Sequence, residues 1–215
     1  MPKSLLITRP NHDETTNYLY YWSTFVIKEA KKRKFALYDF PGKKASKNNF
    51  DRCLKLKKPK ILFLNGHGNA DTITGQDLEP LLECDKKSAV GGTLIYGRSC
   101  DAGINLGKKL IKDGAKAFIG YNKQFIFGFT PAKVTRPLTD KLAGLFLAPS
   151  NLIVITLLKG SKMQAAQDQS KKSMQKNFKK MLLTSASKAE KYAARWLWSN
   201  YKSQVLYGDV AATFK

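Results

Sequence analysis

Two residues of this 215-residue chain combine a type and a setting suited to nucleophilic catalysis, His67 and Cys100. His67 stands between glycines in Asn65-Gly66-His67-Gly68, directly after the apolar run 60–64 (KILFL). Cys100 ends Gly97-Arg98-Ser99-Cys100, directly after 93–96 (TLIY). A thiol becomes a useful nucleophile when an imidazole can take its proton and later return it to the leaving group. If the two runs pair as neighbouring parallel strands, about 4.8 Å apart, groups just past their ends come within reach of one another. Open parallel sheets collect functional residues at those carboxyl ends. Gly68 leaves its backbone N–H clear to face a reacting carbonyl, and the N–H of Cys100 would be the second donor of an oxyanion hole. A helix expected over 102–112 would bring its positive end to Cys100 and favour the thiolate.

Strand and helix signals alternate around these residues. Strands are expected at 4–8, 35–40, 60–64, 93–96 and 116–121, with a last short one at 204–207. Helices are expected at 13–32, where Leu19, Trp22 and Val26 share a face, and at 49–56, 78–84 and 102–112; beyond Phe129 they follow at 135–146, 161–183 and 188–201. Gly114 reads as a helix stop. The rhythm predicts a mostly parallel sheet covered by helices on both faces. One domain over 1–215 is expected, its part 131–203 helical. The apolar stretches 145–147 and 152–158 look broken well short of the ~18 to 20 residues of a membrane span, so a soluble, cytoplasmic protein is expected.

Cys53, Cys84 and Cys100 cannot all pair within one chain, which suits a reducing compartment; the first two read as structural. His12, beside Asp13 at the start of the first helix, reads as a cap-region residue. No C-x-x-C or H-x-x-x-H spacing occurs, so no metal is expected. Gly103 to Lys109 has three residues between its glycines where a phosphate loop has four, and Gly66-His67-Gly68 lacks the third glycine of a dinucleotide fingerprint; no cofactor is expected. The net charge of +22, from 38 basic against 16 acidic side chains, fits either an anionic partner or a lysine-rich solvated surface. The segment 159–180, with Lys171, Lys172, Lys176, Lys179 and Lys180 around Met174, Phe178 and Met181, is the first place to look for such a partner surface.

Four stretches carry a resemblance to the caspase, metacaspase, legumain and gingipain group, and most closely to its CHAT-type and gingipain-like members: LNGHG at 64–68, YGRSCDAG at 96–103, GAKAFIGY at 114–121 and VLYGDVAATF at 205–214. The separation of 33 positions between His67 and Cys100 is of the kind that group shows. The resemblance implies a caspase-haemoglobinase-like, three-layer α/β/α sandwich with a six-stranded, mostly parallel sheet. It implies a Cys-His dyad without an obligatory acid, and cleavage after one preferred residue type. In the group the residue two before the nucleophile lines the primary specificity pocket, and metacaspases that cut after Arg or Lys carry Asp there. Here that residue is Arg98, and Arg9 lies where caspases supply another pocket arginine. The resemblance therefore implies a pocket for an acidic side chain; the alternative is that Arg98 pairs with Asp101 or Asp71. Two functions are expected to compete: a cysteine endopeptidase acting through a thioester on protein or peptide substrates, and a catalytically idle module whose basic surface binds nucleic acid or an acidic protein.

Overall fold

The computed structural model describes residues 3–214. The first half alternates strands and helices as β1 (Ser4–Arg9), α1 (Glu14–Trp22), α2 (Thr24–Lys32), β2 (Ala36–Pro41), α3 (Lys47–Lys57) and β3 (Ile61–Asn65). A two-stranded hairpin, β4 (Thr72–Thr74) and β5 (Pro80–Glu83), precedes β6 (Leu94–Arg98), α4 (Leu106–Lys112) and β7 (Ala117–Tyr121). The chain ends in α5 (Lys141–Leu158), α6 (Met163–Met181), α7 (Lys188–Ser203) and β8 (Gln204–Gly208).

The main sheet has six strands in the order β2-β1-β3-β6-β7-β8; the first five are parallel and β8 runs antiparallel to β7. Strands β1, β3, β6 and β7 are buried along their whole length. That is why they read as unbroken apolar runs: helices cover both faces, so neither set of alternating side chains meets water. Ile7, Phe63, Tyr96 and Ile119 point to the side of α1, α2, α5, α6 and α7. Leu6, Leu62, Ile95 and Phe118 point to the side of α3, α4 and the hairpin. The result is a three-layer sandwich with a core on each side of the sheet.

Four local expectations are corrected. The helix expected over 13–32 divides at Ser23 into α1 and α2. The segment 78–84 forms part of the β4–β5 hairpin, because Asp77 and Leu78 take positive φ and Pro80 opens a strand. The helix expected from 102 begins only at Leu106, since Asp101 takes φ +57° and the following residues form turns. Finally, α5 runs unbroken through Ala148-Pro149-Ser150-Asn151, which looked like an interruption. At a mean hydropathy of 1.8 over 18 residues it is long and apolar enough to cross a membrane, but 61% of it is buried inside the protein, as the central helix of one layer.

Candidate functional site

The ends of β1, β3 and β6 are locked together by one polar clamp. Asn65 donates from Nδ2 to the Thr8 carbonyl at 2.6 Å and accepts at Oδ1 from Arg98 Nε at 2.8 Å; its backbone N–H donates to Thr8 Oγ1. Asn65 is paired with Arg98 in the parallel register of β3 and β6. His67 and Cys100 therefore stand at corresponding places, each two residues beyond the last paired position of adjacent strands. The hairpin presses the His67 loop from the other side. A Cβ at Gly66 would lie 2.0 Å from the Thr74 carbonyl oxygen, and one at Gly68 would lie 2.1 Å from Ser99 Oγ and 2.6 Å from the Thr72 oxygen. Both positions thus require glycine for close packing, a reason additional to the open approach expected from sequence.

His67 Nε2 lies 2.5 Å from Asp13 Oδ2. Asp13 is the N-cap of α1, and its Oδ1 accepts from the Thr16 N–H at 2.7 Å and from Thr16 Oγ1 at 2.8 Å. Burial alone would raise the Asp13 carboxyl, but the hydrogen bonds from Thr16 and His67 outweigh it and hold the group below its ordinary range. One carboxylate therefore caps a helix with one oxygen and orients an imidazole with the other. Asp13 does not stand out in the sequence as a site residue, because an Asp before a helix reads as a cap and nothing more. The signal lay in topology: the loop after β1 borders that after β3.

His12 also turns toward this carboxylate, with Nε2 3.7 Å from Asp13 Oδ2 and buried without a hydrogen-bond partner. Ligand atoms of His12, Asp13 and His67 lie within 4.8 Å of one another, close enough to hold a metal ion. However, His12 Nδ1 accepts the Asp77 N–H at 3.2 Å, which places the neutral ring's proton on Nε2, the atom that would have to ligate.

Cys100 is half-buried, and its Sγ donates to the Phe125 carbonyl at 3.9 Å. Burial pushes the thiol above its ordinary range against an opposing hydrogen bond at the Phe125 backbone, with the Asp101 carboxylate adding to the rise. With α4 starting at Leu106, no helix end offsets this. The resting sulfur is a protonated thiol. Among the described residues the backbone N–H groups of Gly68 and Cys100 have no protein acceptor, and Ser99 Oγ, buried beside Gly68, has no partner.

The two arginines expected in a substrate pocket are elsewhere. Arg98 is fully buried, and it donates to Asn65 Oδ1, Ser150 Oγ, Asn151 Oδ1 and the Leu19 carbonyl, with its guanidinium 4.9 Å from the centre of the Phe63 ring. Neither Asp101 nor Asp71 pairs with it. Burial lowers its pKa to about 10. Arg9 is 6% exposed and forms a two-pronged pair with Asp39, Nε–Oδ1 2.8 Å and Nη2–Oδ2 2.6 Å, over the Tyr20 ring. Both are structural pins, because all their geometry is spent inside the fold. In α6, Met174 and Met181 are buried and Phe178 packs on Trp198, so the apolar line inside the lysine-rich segment faces the protein.

No family model and no curated protein matches the sequence. Solved structures do match. The Arg-specific cysteine proteinase gingipain R superposes with a TM-score of 0.63 at 8% identity, covering 98% of this chain and 47% of its own. The Porphyromonas gingivalis RgpB pro- and mature-domain complex gives 0.60 at 9%, covering 97% and 47%. A structure described as a protease gives 0.55 at 12%, covering 98% and 48%. The chain thus spans about half the length of the structures it matches. At such identities the likeness is one of fold: residues 3–214 carry the gingipain-type, caspase-like α/β architecture, with its six-stranded, mostly parallel sheet.

Proposed function

We propose that this protein is a cysteine endopeptidase in which Cys100 is the nucleophile, His67 the general base and acid, and Asp13 the residue that orients His67. The observation that carries the reading is the placement of His67 and Cys100 two residues past the paired Asn65 and Arg98, with His67 anchored by Asp13. His67 holds its Nε2 proton toward Asp13, so Nδ1 is the atom left to take the thiol proton. The sulfur then attacks the scissile carbonyl carbon. The negative charge that develops on the oxygen is met by the N–H groups of Gly68 and Cys100. As the C–N bond breaks, His67 gives its proton to the departing amine and a thioester remains on Cys100. Water attacks the thioester, passing a proton to Nδ1; the C–S bond breaks, and the proton returns to the sulfur. Asp13 stays ionised throughout.

With Arg98 and Arg9 withdrawn into the fold, nothing supports an acidic side chain immediately before the scissile bond. The test is hydrolysis of a fluorogenic peptide library by the whole chain, together with labelling by an electrophilic peptide and mapping of the modified residue. Turnover and modification confined to Cys100 are expected. Hydrolysis that survives Cys100→Ala would end this reading.

A further inference from the structure

We propose that a trench running from Asp101, the residue after Cys100, along the exposed side of α7 receives an acidic stretch of the polypeptide substrate, a few residues from the scissile bond. The inference rests on the peptidase reading and names part of the substrate for the same site. The loop after β7 ties the nucleophile to α7: Asp101 N–H donates to the Lys123 carbonyl at 3.2 Å, and the Cys100 thiol to that of Phe125. On its other side Asn200 of α7 donates to the Ile126 carbonyl at 2.6 Å and accepts its N–H at 3.1 Å. Two hollows lie along this connection. One, of about 370 Å³, starts at Asp101 and is walled by Lys123, Trp196 and Ser199. The next, of about 460 Å³, shares Lys123 and Ser199 and ends among Arg195, Trp198 and Lys202.

Unpaired lysines are common in a chain with 38 cations and 16 anions, so charge alone would decide nothing. Three cations lining one concavity, joined through Lys123 and Ser199 to a hollow that reaches Asp101, are less ordinary. Among the described residues, Lys123, Arg195 and Lys202 have no carboxylate within 4.0 Å, whereas Arg9, Arg33 and Lys109 each have one. Arg195 is also held in place: its guanidinium lies 4.0 Å from the Tyr192 ring centre and 4.5 Å from that of Trp196. Stacking fixes the plane and leaves the N–H edge free for the two parallel bonds a carboxylate accepts.

The aromatic rings separate two possible occupants. Single-stranded nucleic acid binds such surfaces by stacking bases on open ring faces. Here Trp198 is stacked on Phe178 at 5.0 Å and on Tyr201 at 4.9 Å, and Arg195 covers Tyr192 and Trp196. Trp198 is thus engaged within the protein and Arg195 takes one face of Trp196, while Tyr192, 66% exposed, lines neither hollow; the cations are the trench's more distinctive feature. An extended chain advances roughly 3.3–3.6 Å per residue, so hollows of this size take a short segment. Asp101 at the near end repels an acid next to the scissile bond and moves the expected carboxylates outward.

The experiment compares a dye-labelled peptide carrying a run of glutamates on one side of the scissile bond, then on the other, with its glutamine counterparts. Binding is measured on the whole chain as Cys100→Ala, and turnover on the unsubstituted protein. The glutamate peptide of one polarity should bind about tenfold tighter at low salt. Arg195→Gln with Lys202→Gln should abolish that advantage, so that the glutamate and glutamine peptides bind this variant equally. Equal binding of glutamate and glutamine peptides of both polarities, by protein with an unchanged circular dichroism spectrum, overturns the proposal. So does displacement of the glutamate peptide by oligothymidine at lower concentrations than by unlabelled peptide. Should no peptide be hydrolysed while the Arg195-dependent preference persists, the peptidase reading fails and the acidic subsite stands.

Discussion

The carboxyl ends of β3 and β6 are neighbours in one sheet, yet they are built in opposite ways. At the end of β3, His67 is gripped from two sides: its carbonyl accepts from Thr74 N–H and Oγ1, and its Nε2 meets the Asp13 carboxylate. At the end of β6, Cys100 is followed by a residue at φ +57°, its thiol is bonded only to the Phe125 carbonyl, and burial with Asp101 keeps it protonated. The imidazole is held in place and the thiol is not. In the peptidase proposed above, activation would therefore depend on transfer of the thiol proton to His67 and not on a standing thiolate.

The largest effects should come from removing either side of the pair. Cys100→Ala and His67→Ala are each expected to lower kcat/KM for peptide hydrolysis by at least ~10³-fold, with thermal unfolding little changed. Cys53→Ala and Cys84→Ala should leave turnover in place, because burial, joined at Cys84 by the Asp71 carboxylate, holds both thiols up at about 11. Appreciable turnover by His67→Ala would show that the ordered side of the comparison is not the catalytic one.

Asp13→Asn sharpens the comparison, since asparagine is as good an N-cap as aspartate but cannot hold an imidazolium. It should reduce kcat/KM by about 10² to 10⁴, by analogy with the loss of the orienting acid from other triads, while the unfolding temperature moves little. Asp13→Ala should lose activity and also about 1 kcal/mol of helix capping. An Asp13→Asn protein as active as its parent would reduce the carboxylate to a cap.

Arg98 tests the clamp beneath both ends. Its buried guanidinium has four neutral acceptors and no counter-ion, so Arg98→Ala strands Asn65, Ser150 and Asn151 in the interior. A loss of roughly 3–5 kcal/mol in denaturant unfolding is expected from the unpaired acceptors together with the cavity. Arg98→Met, which refills the space, should lose less. Unchanged stability in Arg98→Ala would mean that the strand ends are held by packing alone.

The same residues show what a sequence can and cannot reveal. Strands β1, β3, β6 and β7 were legible because they are buried on both faces, and His67 and Cys100 because each follows such a strand within a glycine-rich break. Asp13 was hidden behind its capping role. Arg98 was misplaced because the position two before a nucleophile says nothing about which way the strand turns its side chain; its partners Ser150 and Asn151 lie 52 and 53 residues away. Those partners were themselves obscured, since a polar insertion in α5 resembles a loop until the buried cation it serves is known. Long-range polar pairing leaves no periodicity to read.

The chemical state of the thiol gives a smaller and more specific test. In the folded protein Cys100 lies above its ordinary range, whereas in unfolded chain it does not, so at pH 8 folding should slow its alkylation by iodoacetamide. The rate should climb with pH beyond the point where a free thiol has levelled off. His67→Ala should change little in this assay, because the resting sulfur is bonded to Phe125 and not to the imidazole. Alkylation faster than in the unfolded chain would place a standing thiolate at β6 and erase the contrast between the two ends.

The smallest effect belongs to the Asp13 carboxylate. Its folded pKa lies below its unfolded one, so its contribution to stability is present above the unfolded value, near 3.8, and is lost as pH falls through the lowered folded value. The group is 40% exposed, and solvent screening keeps the contribution to a fraction of 1 kcal/mol. Between pH 5 and pH 3 the unfolding temperature of the parent should therefore fall slightly more than that of Asp13→Asn, which has no proton to take up at this site. The sign is what matters: Asp13→Asn falling more steeply than its parent would mean that the carboxylate is not held ionised by Thr16 and His67, and that the ordered end of the sheet owes its order to the hairpin instead.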